Sequence, residues 1–518
     1  MSNQNNHKLD TKQLTVNLFF SGLAFFLNLF ISFFVAPYIT KTSGAEAYGY
    51  VKLANEFTNY ASLFSIALNS MASRFLMLER VRGNREEAQR YFSSISLANI
   101  VLSAIIALPS ALCIVFLEKL LVIPAPLIIE VKITFSLTLA NFLGNLVFST
   151  FGTCYYLTNK LSLGSIRNAI KDVLRVSVII LLFTLSSPKI SYVALGGLVA
   201  GIFVIVYNVF LTRKLVPEFR FRFHDFQWSK LWTVLCAGIW NSITKLSQIF
   251  SSGLDLMVTN LFIGPKEMGY LAVAKTVPNI VASFNSTIAN IFSPNMMELY
   301  AKGNLDSLQK TTKTAIRFMC LFITIPNAIL IVQGEAFFSL WVPGQPAKLL
   351  AILAVLTAIN SCVTGPLAPL YQVFTITNKV KESSIVLIIY GFSSVFVTFI
   401  LLNTTNLGLY AVAGVSLIGS LIVSLGYHLP FSAKYVGLRW YAFYPEIGKS
   451  IFLLITQCAI GWVINRLIPI SNSWILWFLD AILLGILGLT TSFLLILNAA
   501  EKKILIEKIR AKTKRYKA

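Results

Sequence analysis

The sequence is short of charge. Only 12% of its 518 residues are Asp, Glu, Lys or Arg, about half of the roughly 25% usual in soluble domains. Acidic residues are scarcer still, 21 against 43 basic ones. That composition excludes an ordinary water-soluble globular class. Histidine is nearly missing, and His7, His224 and His428 form no cluster. The six cysteines (Cys113, Cys154, Cys236, Cys320, Cys362 and Cys458) fall in apolar segments without paired spacing. They read as small buried hydrophobes, not as disulfides or metal ligands, and no metal or cofactor is expected. Polar stretches long enough for an extramembrane domain are absent, and outer loops are short throughout. A cleavable leader is not expected, because the first apolar run, 14–39, is too long for one and lacks a small-residue cleavage site. Nucleotide hydrolysis is excluded on its motif. Gly44-x4-Gly49 and Gly264-x4-Gly269 begin like a phosphate loop but continue Tyr50-Val51 and Tyr270-Leu271, without the lysine and hydroxyl that grip phosphate and magnesium. Both read as tight connections where glycine allows a turn and a close helix approach.

What the chain has is apolar length. It is 56% hydrophobic, with a mean hydropathy of +0.73. Runs near 20 residues recur from end to end, and fourteen spans can be drawn between 14 and 498. The expected fold class is an all-α polytopic membrane protein of about 14 transmembrane helices. The short alternating segments of an outer-membrane barrel are absent. The net charge of +22 follows the same logic. Thirty-three of the 43 basic residues fall in the N-terminus, the even-to-odd loops and the C-terminal tail. This positive-inside asymmetry places both termini in the cytoplasm, and it argues against nucleic acid as a partner.

The chain also matches itself. At a shift of 220 residues Gly44, Gly49, Tyr50, Ala54, Asn59 and Phe64 recur as Gly264, Gly269, Tyr270, Ala274, Asn279 and Phe284. At a shift of 219, Leu137, Thr138, Asn141 and Thr158-Asn159-Lys160 return as Leu356, Thr357, Asn360 and Thr377-Asn378-Lys379. Six spans separate the copies, and an even number makes them parallel repeats about an axis along the membrane normal. The expected organisation is a six-helix bundle over 1–222, a second over 223–435, two additional helices over 436–500 and a basic cytoplasmic tail over 501–518. The tail is expected to rest on anionic lipid, at about 1 kcal/mol per basic residue near the surface.

Ionisable residues inside spans point to function, since each costs about 2.5 to 3.5 kcal/mol at a helix centre. The candidates are Lys52, Glu56, Lys245, Asp255, Lys275 and Asp480. Lys52 and Glu56 are one turn apart and either pair or act separately. Lys275 matches Asn55 under the repeat, one turn from Lys52, so each half presents an ammonium on its second helix. Lysines facing a shared axis make a cationic vestibule suited to a diphosphate; lysines snorkelling to the interface do not. Asn59 and Asn279 stand for the amides and hydroxyls that crowd spans 2 and 8, either bonding helix to helix or lining a hydrated, sugar-compatible lumen. Lys52, Lys245, Lys275, Asn59 and Asn279 are therefore the candidate substrate-binding residues. Asp255 and Glu56 are the candidate ion-coupling residues, and Asp480 is read as structural.

Leu254-Asp255-x8-Gly264-x4-Gly269-Tyr270, Phe338-Ser339-Leu340-Trp341 and Tyr156-Leu157-Thr158-Asn159-Lys160 resemble segments of polysaccharide transporters. Taken with the 6+6+2 helix plan, the whole chain resembles an O-antigen flippase of the multidrug/oligosaccharidyl-lipid/polysaccharide (MOP) exporter superfamily. The resemblance implies a V-shaped pair of bundles around a cationic cavity. It implies alternating access that carries polyprenyl-diphosphate-linked oligosaccharide from the inner to the outer leaflet of the cytoplasmic membrane; with no nucleotide-hydrolysis motif, the drive is the substrate's own gradient or a coupled ion. It also implies contact with membrane lipids and with the polymerase and glycosyltransferases of a lipopolysaccharide or other surface-polysaccharide pathway. No catalytic residue is implied, so an enzyme is not expected. Competing readings are a drug or small-cation exporter of the same fold, a flippase of peptidoglycan precursor, and a membrane glycosyltransferase or polymerase.

Overall fold

Long apolar runs leave the backbone one way to satisfy its polar groups in hydrocarbon, the helix. A computed structural model of the chain describes residues 11–158, 160–377, 379–467, 473–496 and 502. Among these the secondary structure is helical, without strands, and the fold is that of an all-α polytopic membrane protein. Each of the fourteen spans read from sequence falls mainly on helix where it is described. Among the described residues, ten helical segments are long and apolar enough to cross a membrane. The tail expected over 501–518 lies outside the described residues except for Lys502, as do Asn159 and Asn378 of the repeat.

The chain divides into two compact units, Met1–Ala272 and Val273–Ala518. The first holds α1 (Thr11–Asn69), α2 (Ala72–Val81), α3 (Arg85–Val115), α4 (Leu117–Leu120), α5 (Ile128–Val147), α6 (Cys154–Leu157), α7 (Leu161–Leu185), α8 (Ile190–Leu215), α9 (Trp228–Gln248), α10 (Asp255–Phe262) and most of α11 (Pro265–Ala274). The second holds α12 (Thr276–Ala301), α13 (Leu305–Trp341), α14 (Ala347–Thr364), α15 (Ala368–Ile376), α16 (Val380–Thr404), α17 (Leu409–Val423), α18 (Leu429–Tyr435), α19 (Tyr444–Leu467) and α20 (Trp474–Leu495). This grouping by contact puts α9, the start of the second repeat, with the first unit, where it packs along α1.

Glycine decides two features of the first unit. Gly44 has φ 88 and breaks α1 where the sequence places a connection between spans. The repeat-equivalent glycines Gly49 and Gly269 then meet: a Cβ on Gly49 would lie 3.0 Å from Gly269 Cα, and one on Gly269 would lie 2.5 Å from the Ala45 carbonyl. Lipid offers no hydrophobic drive for helix association, so such backbone-to-backbone approach is what holds helices together. Gly238 does the same for α9, where a Cβ would collide with the Ala67 carbonyl oxygen. Beside it Ser242 Oγ donates to the Leu63 carbonyl at 2.9 Å.

Two basic groups that the charge count assigned to loops lie inside helices. Arg167, Lys171 and Arg175, counted with the loop after span 4, lie in the first four turns of α7. Arg317, counted with the loop after span 8, is buried in α13 and forks onto Glu446 of α19, Nε to Oε2 at 3.1 Å and Nη2 to Oε1 at 2.7 Å. Loop assignment by hydropathy fails here because paired charges lower the average of a segment that is nonetheless helical. Removing one member of a buried pair strands the other, at a cost of about 3 to 5 kcal/mol, whereas replacing both by apolar residues is close to neutral. Arg317→Ala is expected to lower the melting temperature of the purified protein strongly. The double replacement Arg317→Met with Glu446→Leu is expected to restore most of the loss, as measured by thermal unfolding in detergent.

Candidate functional site

The first unit encloses a cavity of 340 Å³ between α1, α5, α7 and α8. Its basic wall is α7. Arg167, Lys171 and Arg175 are spaced four apart, so their side chains fall on one stripe of the helix, and all three line the cavity. The amide wall is α5 and α1, through Asn141, Asn145 and Asn55. The α8 wall is made of small residues, Ala194, Gly197, Ala200 and Gly201. They leave room for the amides: a Cβ on Gly201 would collide with Asn141 Oδ1 and stand 2.9 Å from Asn145 Nδ2. Asn145 Nδ2 in turn donates to Asn141 Oδ1 at 2.8 Å. No carboxylate lines the cavity among the described residues.

The three cations are held differently. Arg167 is anchored: Nη1 donates to Asn208 Oδ1 at 2.8 Å, Nη2 to Asn168 Oδ1 at 2.8 Å, and the guanidinium lies 5.1 Å over the Tyr155 ring. Lys171 pairs with its neighbour Asp172 at 3.1 Å. Arg175 Nε has no hydrogen-bond partner among the described residues. A buried guanidinium nitrogen without a partner is costly and suits a site that receives an acceptor from a ligand.

A smaller cavity of 80 Å³ shares Arg175, Asn55, Val51 and Val193 with the first and is closed by Lys52 and Tyr48. The Lys52 ammonium sits 5.3 Å over the Tyr48 ring. The sequence-expected lysine on span 2 thus fronts Arg175 within one unit, and four cations, Lys52, Arg167, Lys171 and Arg175, border adjoining spaces.

Other expected residues lie elsewhere. Asn59 Nδ2 donates to Glu56 Oε2 at 3.2 Å and Lys245 Nζ reaches Asn59 Oδ1 at 3.5 Å, so these three form a chain between α1 and α9. Tyr60 donates to the Gly253 carbonyl at 2.7 Å, beside a π-helical turn, Ile249–Gly253, that splits span 7 just before Asp255. Such turns free backbone carbonyls. Lys275 and Asn279 belong to the second unit, at the start of α12, where Lys275 is half-buried and Asn279 exposed. Asn69, one of the polar residues of span 2, is bound helix to helix: it exchanges amide bonds with Asn99 at 2.9 and 3.0 Å, and Ser149 closes the ring.

Sequence reasoning missed Arg167, Lys171, Arg175, Asn141 and Asn145 as a group. The signal was their i, i+4, i+8 and i, i+4 spacing, which shows only if span 5 is begun at Leu161. The duplication also reports on the site. A shift of 219 places Val386, Tyr390 and Ser394 where the first unit has Arg167, Lys171 and Arg175, and Ser420 where it has Gly201. In the second unit Ser420 Oγ bonds Asn360, the counterpart of Asn141, at 2.5 Å. The basic stripe is a property of the first unit alone among these repeat-equivalent positions.

Comparison with known proteins agrees with this architecture. No family model matches the sequence. The chain is 27% identical over 508 residues to the uncharacterized membrane protein EpsK of Bacillus subtilis (strain 168), covering 97% of this chain and 99% of that protein. Among solved structures, the lipid II flippase MurJ in an inward closed conformation aligns with a TM-score of 0.67 at 16% identity, over 91% of this chain and 97% of that one. An inward-facing multidrug resistance MATE family transporter of the MOP superfamily aligns with a TM-score of 0.64 at 14% identity, over 82% and 98%. At these identities the likeness is one of fold, and the fold is that of MOP superfamily transporters.

Proposed function

We propose that this protein is a flippase that moves polyprenyl-diphosphate-linked oligosaccharide, an O-antigen or other surface-polysaccharide unit, from the inner to the outer leaflet of the cytoplasmic membrane. The observation that carries this reading is the polar cavity of the first unit, with a basic stripe on α7, facing amides on α5 and α1, and no lining carboxylate among the described residues. A diphosphate cannot cross hydrocarbon unaided, because its charge and its sugar hydroxyls must shed water. Guanidinium and ammonium groups replace that water with charge-assisted hydrogen bonds, and amides serve the sugar. The reaction makes and breaks no bonds, so the role is transport and not catalysis. In this reading the repeat halves, 1–222 and 223–435, move as two bodies between inward and outward states, and Glu56 or Asp255 couples that motion to an ion. The polymerase and glycosyltransferases of the same pathway are the expected partners.

A drug or small-cation exporter of the same fold needs an acidic cavity, and the polarity found is the opposite. The test is reconstitution. Proteoliposomes holding the purified protein and a fluorescent polyprenyl-diphosphate glycan are expected to expose the glycan to an impermeant quencher faster than protein-free vesicles. Lys52→Ala is expected to slow this roughly fivefold, as loss of one ammonium contact worth about 1 kcal/mol implies. Equal rates with and without protein, together with uptake of a lipophilic cation, would instead support the exporter.

A further inference from the structure

The two helices that follow the duplicated core hide a set of polar atoms that transport does not explain. Asp480 of α20 and Gln333 of α13 are each at most 2% exposed. Among the described residues Asp480 Oδ2, both side-chain polar atoms of Gln333, Asn465 Oδ1 and Trp477 Nε1 have no hydrogen-bond partner within the protein.

Packing brings them to one level. Along the α19–α20 seam Gln457 Nε2 donates to the Gly488 carbonyl at 3.2 Å, and one turn further a Cβ on Gly461 would lie 3.1 Å from Leu484. The helices run antiparallel, so the next turn sets Asn465 opposite Asp480. Along the α13–α20 seam a Cβ on Gly488 would lie 3.0 Å from Ile325, and the Phe337 and Trp477 rings are 5.3 Å apart. The two helices run antiparallel, and Gln333 lies one turn before Phe337 while Asp480 lies about one turn after Trp477, which puts both at one level of the seam. Asn465 Nδ2 closes the triangle by donating to the Val332 carbonyl at 3.3 Å, next to Gln333. Asp480 lies about 9 Å along α20 from Trp474, at 1.5 Å per residue.

We propose that Asp480, Gln333 and Asn465 form a sodium site in the seam of α13, α19 and α20. The register gathers three oxygens lacking partners: one from a carboxylate and two from amides. Oxygen ligands of this kind suit a hard cation. A single carboxylate matches a single positive charge, so the occupied seam is neutral, as a buried site in an apolar bundle requires. A divalent ion would leave an uncompensated charge, and magnesium would also demand a near-octahedral oxygen shell. Trp477 Nε1 and Gln333 Nε2 remain to donate to the carboxylate or to a water on the ion. The site lies outside the basic cavity and does not depend on the flippase reading.

The test uses the purified full-length protein in lipid nanodiscs and radioactive sodium. Saturable binding is expected that unlabelled sodium displaces and choline does not, together with a higher melting temperature in sodium chloride than in choline chloride at equal ionic strength. Asp480→Asn is expected to weaken binding at least tenfold and to abolish the sodium-dependent rise. Should that variant fail to fold, Gln333→Leu, which removes two of the unpartnered atoms, is expected to weaken binding in the same assay. Absence of saturable binding by the unaltered protein would overturn the proposal and leave Asp480 as a structural residue. Unchanged binding by a folded Asp480→Asn variant would overturn it too, by placing the ion elsewhere.

Discussion

Arg175→Gln is expected to lower the rate of glycan translocation in proteoliposomes at least tenfold while leaving the yield and melting temperature of the protein near those of the unaltered chain. The argument rests on how Arg175 is held. Arg167, one stripe position away from Lys171, already spends its donors on Asn168 and Asn208, so its replacement would disturb the fold as well as the cavity. Arg175 Nε has no such bond among the described residues, so replacing Arg175 breaks no hydrogen bond at that atom. A hydrogen bond to a charged group is worth about 1.5 to 3 kcal/mol, and about 1.4 kcal/mol is tenfold in an equilibrium constant. Arg175→Lys keeps the charge and loses the planar fork that matches phosphate oxygens, so it is expected to fall between the two. A variant with normal stability and normal transport would remove Arg175 from the site.

The second large effect is structural. Gly269→Val is expected to abolish recovery of folded protein, and Gly269→Ala to lower its melting temperature markedly. A Cβ at this position meets the carbonyl carbon and oxygen of Ala45 at 2.5 Å, and the Glu46 nitrogen at 2.6 Å. All three are backbone atoms, so no side-chain rotation relieves the clash, and the cost lies at or above the upper end of the about 1 to 3 kcal/mol typical of overpacking. Gly414, also in a helix, has nothing within 4 Å of the point where a Cβ would stand, and Gly414→Ala is expected to be neutral or slightly stabilising. Fluorescence-detected size exclusion after heating separates these outcomes. Comparable losses at positions 269 and 414 would mean that the approach of Gly49 and Gly269 does not hold the helices.

Much of this was legible in the sequence, and particular residues show why. The doubled Gly-x4-Gly announced a close crossing because glycine without a Cβ has few other uses at a helix contact, and the crossing pairs the two repeat copies. Fourteen apolar runs announced an all-helical chain because hydrocarbon permits little else. Lys52 was legible as a candidate because an intramembrane charge is costly, and it borders the smaller cavity beside Arg175. Its neighbour was not. Arg175 read as a loop charge because Arg167, Lys171, Asp172 and Arg175 together lower the hydropathy of α7 below that of its neighbours, although their four-residue spacing marks a stripe. Asn69 and Asn55 look alike in sequence, yet one closes a bonded ring with Asn99 and the other faces the cavity, a difference set by which helix each meets. Asp480 read as structural because a lone carboxylate carries no periodicity, and Gln333 and Asn465, its counterparts across the seam, are 147 and 15 residues away in the chain.

The central claim is that the first unit's cavity receives a diphosphate. It is tested most directly by the affinity of the purified protein for polyprenyl diphosphate against the matching uncharged polyprenol, measured with the unaltered chain and with Arg175→Gln. The account expects the diphosphate to bind at least tenfold more tightly than the polyprenol, and expects Arg175→Gln to erase most of that preference while leaving polyprenol binding unchanged. Equal affinity for the two lipids, or a diphosphate preference untouched by Arg175→Gln, would contradict it.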